Sequence, residues 1–209
     1  MHIFGAQIQA KPGRAAAAGA KVAEIREVVS SAIGHAGYAW AAVAGAPIGS
    51  FLLSTRVEGA AGLIELQTKL GESADYQKLA VDAGDLWAAP VETSFLQVVA
   101  AVGDLPEPQS LTTVTRSTMS VGHMADALAW SNEVLEHVNK VTGLSGMLAT
   151  SSAGSMFDVS WIFGAESGAA ADEANNALMA DPSYIGLIDK AGGLFVDGSA
   201  ERITLMQLP

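Results

Sequence analysis

The chain reads as an α+β protein built from two tandem βαββαβ units. Three observations predict this. Part of the sequence recurs at an offset of 108 to 109 residues. Each half runs through the same order of two-residue and helical periodicities. A stretch with two prolines separates the halves.

The repeat is clearest around two aromatic residues. Tyr76, Leu79 and Ala83-Gly84-Asp85-Leu86-Trp87 recur 108 positions later as Tyr184, Leu187 and Ala191-Gly192-Gly193-Leu194-Phe195. Pro12-Gly13-Arg14 aligns with Val121-Gly122-His123 at an offset of 109, so small insertions separate the copies. Between them, Gly103-Asp104-Leu105-Pro106-Glu107-Pro108-Gln109-Ser110 has two prolines and no apolar period, which is linker composition. The expected organisation is a first unit over 1–103, a linker over 104–110 and a second unit over 111–209.

In the first half, His2 to Gln9 alternates, with Phe4, Ala6 and Ile8 on one face, so it reads as a strand. Pro12 suits the first turn of a helix, where its missing N–H costs nothing. Ala18, Val22, Ile25, Val29 and Ile33 then recur at helical spacing, with Lys21, Glu24 and Glu27 elsewhere on the helix. Ala36 to Thr55 carries no charge and is long enough to span a bilayer. Gly45-Ala46-Pro47-Ile48-Gly49-Ser50 at its centre is turn chemistry, so a buried β-hairpin is expected instead. A helical region through Asp75 to Trp87 and a strand around Thr93 to Val102 complete the half.

The second half repeats the order. A strand at Thr112 to Thr118 precedes a helix from Val121 to Val141. A hairpin across Ser145 to Phe163, a helical region to Lys190 and a strand at Glu201 to Leu208 follow. Its uncharged stretch, Thr142 to Phe157, centres on Ser151-Ser152-Ala153-Gly154-Ser155, as the first hairpin centres on its own turn. Each half is thus a ferredoxin-like, split-βαβ unit. Such a sheet carries helices on one face and leaves the other bare. Two copies in one chain can cover each other, giving a pseudo-symmetric α/β barrel whose interior is a packed core or a ligand cavity.

Composition narrows the function. Half of the residues are hydrophobic and 16% are charged, which excludes a disordered chain. A net charge of −11 argues against nucleic acid and against an anionic membrane surface. The chain has no cysteine, so disulfides, thiolate zinc sites and thiol nucleophiles are excluded. The start, MHIFGAQIQAKPGR, lacks a signal-peptide pattern, and the expected compartment is the cytoplasm.

The two βαββαβ units, with Lys11-Pro12-Gly13-Arg14 opening the first helix, resemble the dimeric α+β barrel superfamily. The antibiotic-biosynthesis-monooxygenase-like and NIPSNAP-like branches are most similar. The resemblance implies a small-molecule-binding barrel, a cofactor-independent monooxygenase-like or isomerase-like enzyme acting on an aromatic or polyketide-like compound. The superfamily also holds haem enzymes and proteins without known activity. A non-catalytic carrier or sensor, or an assembly protein with a packed interior, are the alternatives. No haem-binding motif is found and no cofactor is expected.

The strand period selects the candidate residues. Ser54 and Arg56 share a face with Ser50 and Leu52; Asp158 and Ser160 share one with Ile162. Gln7 and Arg116 occupy equivalent positions in the first strand of each half. Gln7, Ser54, Arg56, Arg116, Asp158 and Ser160 are therefore expected to face the shared interior. An Arg56–Asp158 or Arg116–Asp158 pair there would orient a polar ligand, or would simply be a structural ion pair. Trp40, on one face with Tyr38 and Ala42, either stacks on a flat ligand or packs the core.

The histidines point less to chemistry. His35 follows the first helix, where the helix dipole favours it. His123, Asp126, Trp130, Glu133 and His137 line one face of the second long helix. Glu133 and His137 have the spacing of a metal pair, but a solvated helix face is the expected reading and no metal site is assigned. An exposed Trp130 there points to contact between copies of the chain.

Overall fold

In the computed structural model, residues 1–104 and 108–209 are described. Leu105, Pro106 and Glu107 of the expected linker lie outside the described residues. The chain divides into two compact units, Met1–Gln97 with Met206–Pro209, and Val98–Leu205.

The first unit contains β1 (His2–Gln9), α1 (Ala15–Ile33), β2 (Gly37–Ala44), β3 (Ser50–Val57), α2 (Gly59–Glu72), α3 (Ala74–Ala83) and most of β4 (Glu92–Val102). β1 pairs antiparallel with β3 and β4, and β3 with β2. The uncharged stretch is therefore a hairpin, with Trp40 opposite Leu52 and Tyr38 opposite Ser54. Gly45 and Gly49 in its turn have φ of 79° and 84°, values that favour glycine. Among the described residues, no helix is long and apolar enough to cross a membrane.

Small residues let α1 lie close to this sheet. Ala18 and Val22 are fully buried and pack with Ile8, Ala39 and Phe51. A Cβ on Gly19 would stand 3.2 Å from the Phe51 ring. Val29 and Ile33, further along the expected stripe, join Val57, Leu66, Leu70 and Phe95 in a second cluster. α1 begins at Ala15 rather than at Pro12. Gly13, at φ 76°, turns the chain first, and Arg14 N–H bonds to Lys11 O at 3.0 Å. The helical region expected over Asp75 to Trp87 is α3, which ends at Ala83; α2 lies before that region and Ser73 separates the two helices. The Ser73 hydroxyl caps α3 by accepting from Tyr76 N–H at 3.2 Å.

The second unit contains β5 (Leu111–Thr118), α4 (Met124–Thr142), β6 (Gly146–Ser151), β7 (Asp158–Ala165), α5 (Gly168–Ala180), α6 (Pro182–Ile188), a 3-10 turn at Asp189–Ala191 and most of β8 (Glu201–Gln207). β7 pairs antiparallel with β5 and β6. Its core joins Leu135 and Val138 of α4 to Leu148, Val159 and Trp161 of the sheet. Trp161 donates from Nε1 to Ser131 O at 3.1 Å, so the apolar face of β7 meets α4 as its alternation predicts.

The repeat is structural as well as textual. Trp87 bridges Ala10, and Phe195 bridges Met119 at the matching place. Lys11 N–H bonds to Leu86 O, and Ser120 N–H to Leu194 O, both at 2.9 Å. The fold class is α+β, with strand order β4-β1-β3-β2 in the first unit and β8-β5-β7-β6 in the second.

Candidate functional site

Each sheet has one face on its helices, and the candidate residues lie on the other. In the first unit, Ala39 and Ala41 of β2 join the helix-side cluster, which turns Tyr38 and Trp40 to the opposite face. Phe51 and Val57 do the same for β3, turning Leu52, Ser54 and Arg56 away from the helices. Ile8 does so for β1, which leaves Gln7 on that face. The sequence pattern thus brings Gln7, Trp40 and Arg56 together on one helix-free face.

That face is part aromatic and part polar. Tyr38 and Trp40 are 9% and 4% exposed, with ring centroids 6.4 Å apart and planes tilted by 43°. Trp40 Nε1 donates to Ser54 Oγ at 3.0 Å. Ser54 and Arg56 are half-buried, and Gln7 is exposed. Gly5, opposite Ser54 on β1, admits the Ser94 side chain. A Cβ on Gly5 would fall 2.6 Å from Ser94 Oγ. Ser94 and Leu52 fill the space over Gly5, and Ser54 and Arg56 keep part of their surface accessible.

In the second unit, Arg116 lies opposite Ser160, and Thr118 opposite Asp158. Ser160 is buried at 7% exposure. Asp158 accepts from Thr118 Oγ1 at 2.8 Å. Arg116 is exposed and binds Glu201 Oε2 through Nε at 2.9 Å and Nη2 at 2.7 Å. The expected Arg116–Asp158 pair is not formed, because each residue has a nearer partner. Glu201, 85 residues from Arg116, carries no local signal of that pairing.

The helix α4 face also differs from its expectation. Trp130 is half-buried rather than exposed. It meets Trp161 and Phe195 edge-on at 6.0 and 5.3 Å, and its Nε1 donates to Leu187 O at 2.8 Å. His137 Nε2 lies 2.6 Å from Asp181 Oδ2, and its ring stacks on Tyr184. Asp181 Oδ1 accepts from Ser183 N–H at 2.9 Å, capping α6. The His137 contact, then the Ser183 N–H, holds the Asp181 carboxyl below the usual carboxylate range. Among the described residues, no group of three His, Asp or Glu side chains could hold a metal.

His35 follows Gly34, the left-handed cap of α1, and its Nδ1 lies 3.5 Å from Thr55 Oγ1. It lines a cavity of about 180 Å³ with Ile33, Val57, Glu58 and Leu66, and Lys69 of the Glu65–Lys69 pair closes the rim. Sequence periodicity gave no sign of this cavity, since its walls come from three elements.

No family model and no curated protein matches the sequence. Solved structures match the fold. A candidate monooxygenase from Fusobacterium nucleatum aligns with TM-score 0.70 over 100% of this chain and 92% of its own, at 7% identity. An anthrone oxidase-like protein aligns with TM-score 0.68 over 100% and 91%, at 12% identity. A haem-degrading enzyme from Listeria monocytogenes aligns with TM-score 0.55 over 99% of both chains, at 8% identity. What these proteins share with this chain is the α+β fold of two ferredoxin-like units.

Proposed function

We propose that this protein binds a small, flat organic compound, aromatic or polyketide-like, on the helix-free sheet face of its first unit. The observation behind this reading is the buried Tyr38–Trp40 wall beside accessible polar groups on Gln7, Ser54 and Arg56. Aromatic walls with a few placed polar groups are the usual build of a ligand site.

The reaction that fits is oxygenation without a cofactor. A substrate with an acidic CH₂ beside its rings supplies the electrons itself. The CH₂ becomes C=O, one atom of O₂ enters the product and the other leaves as water. The fold neighbours named for monooxygenase and anthrone oxidase activity support this reading. Oxygen uptake with anthrone as probe is the test. Uptake should exceed the spontaneous rate and fall at least tenfold in both Trp40→Ala and Arg56→Ala, with the fold intact by circular dichroism. Binding without uptake would make the protein a carrier or sensor. No binding and no uptake would favour a packed, structural role.

A further inference from the structure

An indole nitrogen can only donate a hydrogen bond, whereas a serine hydroxyl can both accept and donate. Trp40 Nε1 donates to Ser54 Oγ at 3.0 Å, so one lone pair of that oxygen is committed. The hydroxyl proton then points away from the indole. Trp40 is almost fully buried and its ring cannot turn freely, so the indole fixes the Ser54 hydroxyl in its donor role. Ser54 remains partly accessible, and Arg56, two residues on along the same face, can only donate as well. The Ser54 hydroxyl proton is thus a donor beside an aromatic wall.

From this we infer that Ser54 is the specificity-determining donor of the site, held by Trp40 as its positioning residue. The group it selects is a carbonyl or phenolate oxygen on a flat ring system. This rests on the proposed ligand-binding reading and adds the polarity of the ligand. A ligand group that can only donate finds at Ser54 an oxygen already accepting from Trp40 and leaves the hydroxyl proton unused. An acceptor oxygen completes the hydrogen bond.

The test uses two probes of nearly equal shape, 9-fluorenone and fluorene, which differ by the carbonyl. Affinities are measured by calorimetry on the full chain. The wild type should prefer fluorenone by about five- to tenfold, the worth of one hydrogen bond. Ser54→Ala should abolish that preference, read as the ratio of the two affinities. Ser54→Thr should restore it. Trp40→Phe keeps an aromatic wall but loses the N–H, and the preference should shrink. An undiminished preference in Ser54→Ala would overturn the assignment of Ser54 and leave the binding reading standing. Failure of the wild type to bind either probe would overturn both.

Discussion

Trp40 gives its indole N–H to Ser54 Oγ at 3.0 Å across the β2–β3 hairpin, and both side chains stand on the face turned from the helices. A double-mutant cycle reads this bond directly. Trp40→Phe and Ser54→Ala should show a coupling of about 1 kcal/mol in urea unfolding, the usual net value of such a bond. Additive effects within about 0.3 kcal/mol would mean that the two side chains act separately.

Gly13 and Gly122 are equivalent turns before α1 and α4, with φ of 76° and 87° and open space where a Cβ would stand. Only backbone strain opposes a side chain there. Gly13→Ala and Gly122→Ala should therefore each cost about 1–2 kcal/mol, and by similar amounts. Chemical denaturation of the two variants checks this. A large difference between them would show that the repeat does not extend to these turns.

Gly146 behaves oppositely. A Cβ there would lie 2.4 Å from the Phe163 ring, which covers the glycine on the neighbouring strand. Gly146→Ala must displace an aromatic side chain packed on the core of its unit. The expected loss is about 1–3 kcal/mol or more, the range of overpacked cores. Adding Phe163→Leu should recover part of it, and no recovery would place the strain elsewhere.

The Asp181 carboxyl is held below its ordinary value by His137 first and by the Ser183 N–H second. A lowered carboxyl pKa means the unfolded chain binds the proton more readily. The stabilisation is then present above the unfolded value, near pH 4, and is lost as pH falls through the lowered folded value. Asp181→Asn keeps an N-cap but removes the charge. Its stability should fall less steeply than that of the wild type below about pH 5. Parallel curves would show that other carboxylates carry the acid sensitivity.

The strands and the hairpins were legible because side-chain alternation is local. His2 to Gln9 and Ser50 to Val57 each sort into two faces at a period of two, and both are strands with those bounds. The face assignments of Trp40, Arg56 and Ser160 follow from the same parity. The missed features depend on distant partners or on backbone conformation. Trp130 reads as an exposed anomaly until Leu187 O, 57 residues away, is seen to accept from it. Pro12 reads as a helix start, but Gly13 turns the chain before α1 begins. Arg116 shares a face with Asp158, yet Glu201 arrives from the last strand and takes the ion pair.

The claim that the first unit presents a ligand-binding face is tested most directly by native mass spectrometry. Spectra of the freshly purified chain are recorded alone and with excess 9-fluorenone, beside Trp40→Ala treated identically. The wild type should carry one bound molecule per chain, and the variant should lose it. An unchanged bare mass for the wild type at saturating probe, or equal binding by both proteins, would contradict it.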